Sequence, residues 1–221
     1  MGMISEIKDL VKSARDRDPA ANNTFEILLT YSGIHAILNH RIAHWFYRHH
    51  IPFIPRCISQ TSKFFTGIEI HPGAKIGHGI FMDHGMGIVI GETSEIGNNV
   101  TLFQGVTLGG TGKEKGKRHP SIGDNTIVSA GAKVLGSINI GKNVIIGAGA
   151  VVIKSVPDNC TVVGVPGKIV KIDGEKVLSD TSHLMYLPDP VSDILKNCCE
   201  RIDSLEKELQ KYQGKKNHKE K

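Results

Sequence analysis

Two short segments of the sequence carry the side chains best suited to proton transfer and anion binding. Asp83 and His84 lie together in the run 82–87, and Arg118 and His119 come near the end of a polar run at 109–120. A histidine can accept and return a proton near neutral pH, but it needs a neighbouring carboxylate to orient its ring. The residue types therefore indicate His84 as a candidate general base, and a structural or merely exposed histidine stays an equal alternative.

The run 109–120 reads Gly-Gly-Thr-Gly-Lys-Glu-Lys-Gly-Lys-Arg-His-Pro, which is too long and too polar for an ordinary turn. We expect it to loop out of the fold, and a glycine-rich loop with lysine and arginine suits phosphates and carboxylates. It is not a Walker motif, because Arg118 follows Gly116-Lys117 where Ser or Thr is required.

Both segments interrupt a six-residue repeat. An aliphatic residue recurs at every sixth position, glycine often follows it, and a small residue often stands four positions after it. The aliphatic positions are Ile70, Ile76, Met82, Ile90, Ile96, Leu102, Leu108, Ile122, Val128, Val134, Ile140, Ile146 and Val152. This period is the signature of a hexapeptide β-helix. We predict a mainly β fold, a left-handed parallel β-helix over 67–172, with Gly and Asn accepting φ > 0 at its turns.

Helical regions flank the repeat. Residues 1–66 have helical spacing, with a first helix that ends before Asp18-Pro19, a second from about Asn23 to His49, and a break at Pro52 and Pro55. Residues 173–221 read as a linker and a C-terminal helix with a basic tail. Its apolar positions alternate spacings of four and three: Val191, Leu195, Cys198, Ile202, Leu205, Leu209 and Tyr212. This seam favours a coiled coil over a helix packed on the solenoid.

Composition argues against several functions. The net charge is +5, and many of the lysines lie at 211–221. Nucleic-acid binding is not indicated, because the sequence has no basic face interleaved with aromatic residues. The N-terminal segment lacks a long apolar stretch, so we expect a cytoplasmic protein without a membrane anchor. The four cysteines form no CxxC pair, and Arg41 replaces the glutamate that a zinc motif would need between His40 and His44. No metal site is expected.

Several runs of the sequence together resemble the serine O-acetyltransferase family over about residues 15–170. These runs are 17–20, 44–45, 68–74, 82–93, 106–113, 118–120 and 164–166. The resemblance implies transfer of the acetyl group of acetyl-CoA to the hydroxyl of L-serine, giving O-acetylserine and CoA, the first step of cysteine biosynthesis. It also implies direct transfer in a ternary complex, acetyl-CoA as co-substrate with no tightly bound cofactor, and feedback inhibition by cysteine.

The resemblance also implies roles for individual residues. His84 would be the general base and Glu69 its acidic partner, at a position where the family often has Asp. Asp18 and Asp83 would hold the serine ammonium and hydroxyl, and Arg118 with His119 would hold its carboxylate. The residues implied to border acetyl-CoA are Gly110, Thr111 and Ala130, with Lys113 reaching its phosphates.

The family resemblance implies a homotrimer with sites between subunits, where the 109–120 loop completes a neighbour's site. The short N-terminal region favours a trimer over a hexamer, and the ending Glu220-Lys221 argues against a complex with cysteine synthase, which takes a C-terminal Ile. Three alternatives remain: acetyl transfer to another acceptor such as a sugar, a metal-dependent hydratase of the hexapeptide type, and a scaffolding trimer without activity. The spacing of the solenoid histidines disfavours the hydratase, because His71, His78, His84 and His119 lack its His-x4-His pattern.

Overall fold

The computed structural model describes residues 2–112, 115–176, 198, 200–202 and 204–205. The chain falls into two units, Met1–Leu178 and Ser179–Lys221. In the second unit the described residues are helical: Cys198, Glu200, Arg201, Ile202, Ser204 and Leu205. The rest of the predicted heptad seam lies outside the described residues, so the coiled coil stays a prediction.

The first unit begins with four helices: α1 Met3–Arg17, α2 Thr24–Thr30, α3 Ser32–Arg48 and α4 Ile54–Thr66. The predicted single helix over 23–49 is wrong at Tyr31, whose extended backbone (φ −82°, ψ 99°) separates α2 from α3. Helix α4 is not predicted by the sequence pattern, because Pro52 and Pro55 indicate a break there. Pro55 instead lies in the first turn of α4, where a missing N–H costs no helical hydrogen bond.

Sixteen short strands follow. They are β1 Glu69–Ile70, β2 Lys75–Ile76, β3 Phe81–Asp83, β4 Val89–Ile90, β5 Glu95–Ile96, β6 Thr101–Phe103, β7 Thr107–Gly109, β8 Ser121–Ile122, β9 Ile127–Val128, β10 Lys133–Leu135, β11 Asn139–Ile140, β12 Ile145–Ile146, β13 Val151–Val152, β14 Cys160–Val163, β15 Lys168–Ile172 and β16 Glu175–Lys176.

The strands form a three-sided prism. The first sheet is β1-β4-β7-β10-β13, the second β2-β5-β8-β11, and the third β3-β6-β9-β12-β14-β15-β16. Pairing is parallel up to β14, and β15 and β16 then close the third sheet in antiparallel order. The predicted parallel β-helix with an α-helical N-terminal region is confirmed.

The core consists of aliphatic columns. In the first sheet Ile90 lies between Ile70 and Leu108, and the column continues through Val134 to Val152. Every aliphatic position of the predicted repeat is buried, and the small residues four places later, such as Ala74 and Ala132, are fully buried as well. Each buried Val, Leu or Ile contributes about 1.5–3 kcal/mol through loss of apolar surface to water.

The glycines that follow the aliphatic positions have a different role from the predicted one. None of them has positive φ. They are small because the next coil passes close by; a Cβ on Gly123, for example, would overlap the backbone of Gly141. Other glycines and the asparagines do accept positive φ at the turns as predicted, with φ of 70° at Gly105, 57° at Asn99 and 58° at Asn125.

These asparagines form a ladder along one corner of the prism. The side-chain amide of Asn99 donates to Asn125 (3.3 Å), Asn125 to Asn143 (3.1 Å) and Asn143 to Asn159 (2.8 Å). The last rung is Asp173, which accepts from Asn159 at 2.8 Å. The ladder satisfies the side-chain amides and holds the positive-φ residue at this corner in four successive coils.

Replacing Asn125 by alanine is expected to lower the free energy of unfolding by about 2–3 kcal/mol. Two ladder hydrogen bonds are lost at about 1 kcal/mol each, and alanine adds about 1 kcal/mol at positive φ. Urea denaturation of Asn125→Ala against Asn139→Ala, an exposed asparagine on β11, measures the difference. Equal midpoints for the two variants would contradict the ladder's contribution.

An ion pair attaches the helical region to the first coil. The Arg41 guanidinium donates to Glu6 Oε1 (2.7 Å) and to the carbonyl oxygens of Ile76 and Gly77 (both 2.5 Å). The other carboxylate oxygen of Glu6 lies 3.1 Å from His78 Nδ1. This clamp fixes α1, and therefore Asp18 at its C-terminal end.

Within the part of the chain that the structure describes, no helix is long and apolar enough to cross a membrane.

Candidate active site

His84 lies in a corner of the prism that is two residues longer than the matching corner of the next coil. Asp83 pairs with Phe103 and Val89 pairs with Thr107, so six positions on one coil match four on the next. The additional residues are His84 and Gly85, and both have positive φ (57° and 69°). The register slip in the sequence is therefore an outward bulge that leaves the His84 side chain 72% exposed.

Two carboxylates face this bulge. Asp83 Oδ1 lies 3.8 Å from His84 Nε2. Asp18 caps the end of α1, and its carboxylate accepts hydrogen bonds from the Tyr31 hydroxyl (2.6 Å) and the Ala20 N–H (2.8 Å). These hydrogen bonds, and to a smaller extent the nearby His84, lower the pKa of Asp18. Asp18 is thus held as an anion beside the histidine.

Tyr31 is a residue of this cluster that the sequence pattern does not indicate. It is the linker residue between α2 and α3, and its hydrogen bond to Asp18 raises its own pKa to about 12. The following turn packs on the bulge, since a Cβ on Gly85 would lie 2.8 Å from Ser32 Oγ. The helix break at Tyr31 therefore brings a hydrogen-bond donor to Asp18, and no signal in the sequence indicated that break.

A second polar cluster lies where the first sheet meets the second. Twelve residues, 109–120, separate Leu108 from Ser121, where the preceding coil has only four, 91–94, between Ile90 and Glu95. At the end of this segment Arg118 forms an ion pair with Glu92, which also accepts from the Tyr47 hydroxyl at 3.2 Å. The Arg118 hydrogen bond lowers the pKa of Glu92. The guanidinium has further N–H groups for another anion.

His119 packs against the same corner. A Cβ on Gly91 would overlap the His119 ring, and a Cβ on Gly110 would lie 3.1 Å from Nε2. Thr93 holds the other side of the ring, with its N–H 3.2 Å and its hydroxyl 2.9 Å from Nδ1. Burial, followed by the Arg118 charge, lowers the pKa of His119. Glu92, Thr93 and Tyr47 were not assigned roles from the sequence.

Glu69 lies on β1, and its carboxylate accepts a hydrogen bond from Lys63 Nζ at 2.5 Å. That bond lowers the pKa of Glu69. Among the described side chains, Glu69 is hydrogen-bonded to Lys63 and not to His84. The predicted pairing of Glu69 with the histidine is therefore not made in this conformation and stays a prediction.

The positions predicted to border acetyl-CoA are divided between the two corners. Ala130 lies on the His84 corner: Gly105 N–H donates to Met86 O (2.9 Å), and one coil on, Gly131 N–H donates to Gln104 O (2.8 Å). Ala130 is thus stacked next to Gln104, two coils after the bulge. Gly110 and Thr111 lie near the start of the long segment at the other corner, and Lys113 lies outside the described residues.

The two clusters occupy different corners of one prism. The His84 bulge connects the third sheet to the first, whereas Arg118 and His119 connect the first sheet to the second. The first sheet lies between them. The chain therefore presents two separate polar clusters on its surface.

The histidines of α3 form a packing seam. His40 is buried, and burial lowers its pKa to about 3. His44 Nδ1 is 2.7 Å from Pro72 O. Within the described ranges, no three His, Cys, Asp or Glu side chains are arranged to hold a metal ion.

A prism of hexapeptide coils with polar clusters at its lengthened corners is typical of the hexapeptide-repeat acyltransferases. Residues 119–154 match the family described as bacterial transferase hexapeptide (six repeats). A serine acetyltransferase of Bacillus subtilis (strain 168) is 57% identical over 204 residues, covering 92% of this chain and 94% of the relative. The chain belongs to the serine acetyltransferase family, and it is an acyltransferase.

Solved structures of the family are similar to this fold. A Neisseria gonorrhoeae serine acetyltransferase in complex with serine matches with a TM-score of 0.73 and 42% identity, over 76% of this chain and 68% of that chain. A serine acetyltransferase in complex with cysteine matches with a TM-score of 0.74 and 44% identity, over 76% of this chain and 70% of that one. The predicted family is thereby confirmed.

Proposed function

We propose that this chain transfers acetyl from acetyl-CoA to the hydroxyl of L-serine in one direct step, with His84 as the general base. The observation that carries this is the corner bulge, which places the exposed His84 beside Asp83 and Asp18. His84 takes the proton as the serine Oγ attacks the thioester carbonyl. The C–S bond then breaks, and the histidine returns the proton to the CoA thiolate.

Serine is a zwitterion, and each polar cluster suits one end of it. Asp18 and Asp83 are anions that suit the ammonium group, and Arg118 is a cation whose fork suits the carboxylate. A sugar acceptor would leave these charges unmatched. The proposed path of acetyl-CoA borders Ala130, Gly110 and Thr111, with Lys113 at its phosphates, and Glu69 is proposed to orient His84 once its bond to Lys63 is exchanged.

The assay for this function is release of the CoA thiol from acetyl-CoA with L-serine, homoserine, a sugar or no acceptor. We expect release that depends on L-serine. Equal release with every acceptor, or none with serine, would overturn the proposed reaction. The same assay tests feedback: L-cysteine is expected to compete with L-serine, and inhibition unrelieved by added serine would contradict binding at one site.

A homotrimer would bring the two polar clusters of neighbouring subunits together. We propose this arrangement because the first sheet separates them within one chain. It can be tested by co-refolding inactive His84→Asn with inactive Arg118→Ala subunits. Sites between subunits restore about a quarter of native activity, because about three quarters of the trimers are mixed and each regains one site of three. Sites within one subunit restore none.

Tyr31→Phe is expected to raise the KM for L-serine about 10-fold with kcat little changed. The variant removes the 2.6 Å hydrogen bond that holds Asp18, and a bond to a charged group is worth about 1.5 kcal/mol or more. Steady-state kinetics with serine varied at saturating acetyl-CoA measures the effect. A change in kcat with KM unaffected would contradict a role of this pair in binding serine.

A further inference from the structure

The surroundings of the His119 ring define which nitrogen carries its proton. The backbone N–H of Thr93 is 3.2 Å from Nδ1. A backbone N–H can only donate, so it needs a lone pair on Nδ1. The contact is satisfied only when Nδ1 carries no hydrogen.

The Thr93 hydroxyl leads to the same conclusion. Its Oγ1 accepts the backbone N–H of Arg118 at 3.0 Å and that of His119 at 3.1 Å. Both lone pairs of the hydroxyl oxygen are then in use. Its hydrogen is left to donate to Nδ1, which is 2.9 Å away. One threonine thus presents two donors to the same ring nitrogen.

We infer that Thr93 is a positioning residue that holds His119 as the neutral ring with its proton on Nε2. The inference rests on the proposed function for the part that His119 plays toward serine. Nε2 lies between Gly91 and Gly110, near the start of the long segment. His119 is therefore a neutral hydrogen-bond donor, and Arg118 supplies the positive charge that the serine carboxylate needs.

The charged groups around the ring also oppose a second proton. Arg118 and Lys117 are cations on its own segment, and His71 faces it from the adjoining coil. Among the described residues, Glu92 is the one carboxylate whose charge raises the pKa of the ring. That carboxylate is already paired with Arg118. The ring is buried against Gly91, which removes water that would stabilise an imidazolium.

The tautomer can be read directly in the native, substrate-free protein. Histidine-selective ¹⁵N labelling and two-bond ¹H–¹⁵N correlations distinguish Nδ1–H, Nε2–H and the doubly protonated ring. The His119→Asn spectrum identifies the signal. We expect Nε2–H at pH 8 and still at pH 7, because the pKa of the ring lies below the ordinary histidine value. A proton on Nδ1, or a cationic ring near pH 7, overturns the inference.

Kinetics of Thr93 variants test the consequence. Thr93→Val keeps the shape but removes the hydroxyl, and it is expected to raise the KM for L-serine about 10-fold with kcat little changed. Thr93→Ser should restore the native KM, and Thr161→Val, on β14, should leave it unchanged. An unaltered KM and His119 signal in Thr93→Val would contradict the positioning role.

Failure of the proposed function and failure of the inference about the His119 tautomer are distinguishable. Absence of serine-dependent CoA release by the native chain would remove the proposed function, while the spectrum of the free protein would still report the tautomer. A serine-dependent native enzyme with Nδ1–H on His119 would remove this inference alone.

Discussion

Replacing His84 by asparagine is expected to lower kcat about 10³-fold, while the KM for L-serine changes little. General-base catalysis typically contributes 10²–10⁴-fold, and asparagine cannot take up the proton. Asparagine is the better variant here because His84 has φ of 57°, a conformation that asparagine adopts readily and alanine does not. A loss of activity in His84→Asn is therefore a loss of chemistry rather than of the turn.

The measurement is serine-dependent release of the CoA thiol, with the thermal midpoint recorded in parallel. His49→Ala is the matched control, because His49 is an exposed histidine that stacks on Trp45 and bonds its carbonyl oxygen. We expect native turnover in the control. Full activity in His84→Asn would leave the family assignment intact but remove the proposed base.

Gly91→Ala is expected to reduce kcat/KM for L-serine by about 10- to 100-fold and to destabilise the fold by about 1–3 kcal/mol. The added methyl group would overlap the His119 ring, so the ring must leave its place against Thr93. Overpacking a tight site costs about 1–3 kcal/mol, and a hydrogen bond to a charged group is worth about 1.5–3 kcal/mol.

Gly109→Ala separates this effect from a general cost of alanine. Gly109 occupies the matching position one coil on, immediately after Leu108, which pairs with Ile90. There the added Cβ would meet the flexible end of Leu135 at 2.8 Å and would make an ordinary contact with the Thr107 methyl group at 3.5 Å. We expect serine kinetics close to native for Gly109→Ala. Equal losses in the two variants would show that His119 is not the reason for glycine at position 91.

The core of the prism could be predicted because its spacing is a property of the chain itself. A strand of two or three residues and a tight corner repeat every six positions, so the residues that point inward can be counted. The glycine at position 91 also follows the repeat pattern, but the sequence does not show why a glycine is required there. The group it makes room for, His119, is 28 positions away in sequence and arrives there only after the long segment folds back.

The candidate site could be predicted less completely for the same reason. His84 and Asp83 are adjacent and interrupt a regular pattern, which is a local signal. The contact of Tyr31 with Asp18 depends on a helix break and on how α1 packs. The partner of Glu69 lies on α4, a helix that was not predicted because its prolines indicate a break. Contacts between elements are not encoded in spacing, so these required the structure.

The lengthened corners have a consequence for how this scaffold accepts new segments. Two additional residues at 84–85 and eight within 109–120 leave the strands on either side in register. Closing a longer loop costs only about 0.6 kcal/mol for each doubling of its length. A residue added inside a strand would instead turn inward side chains outward. The corners can therefore be changed in length and composition while the aliphatic columns stay the same. They are suitable sites for grafting binding or catalytic peptides.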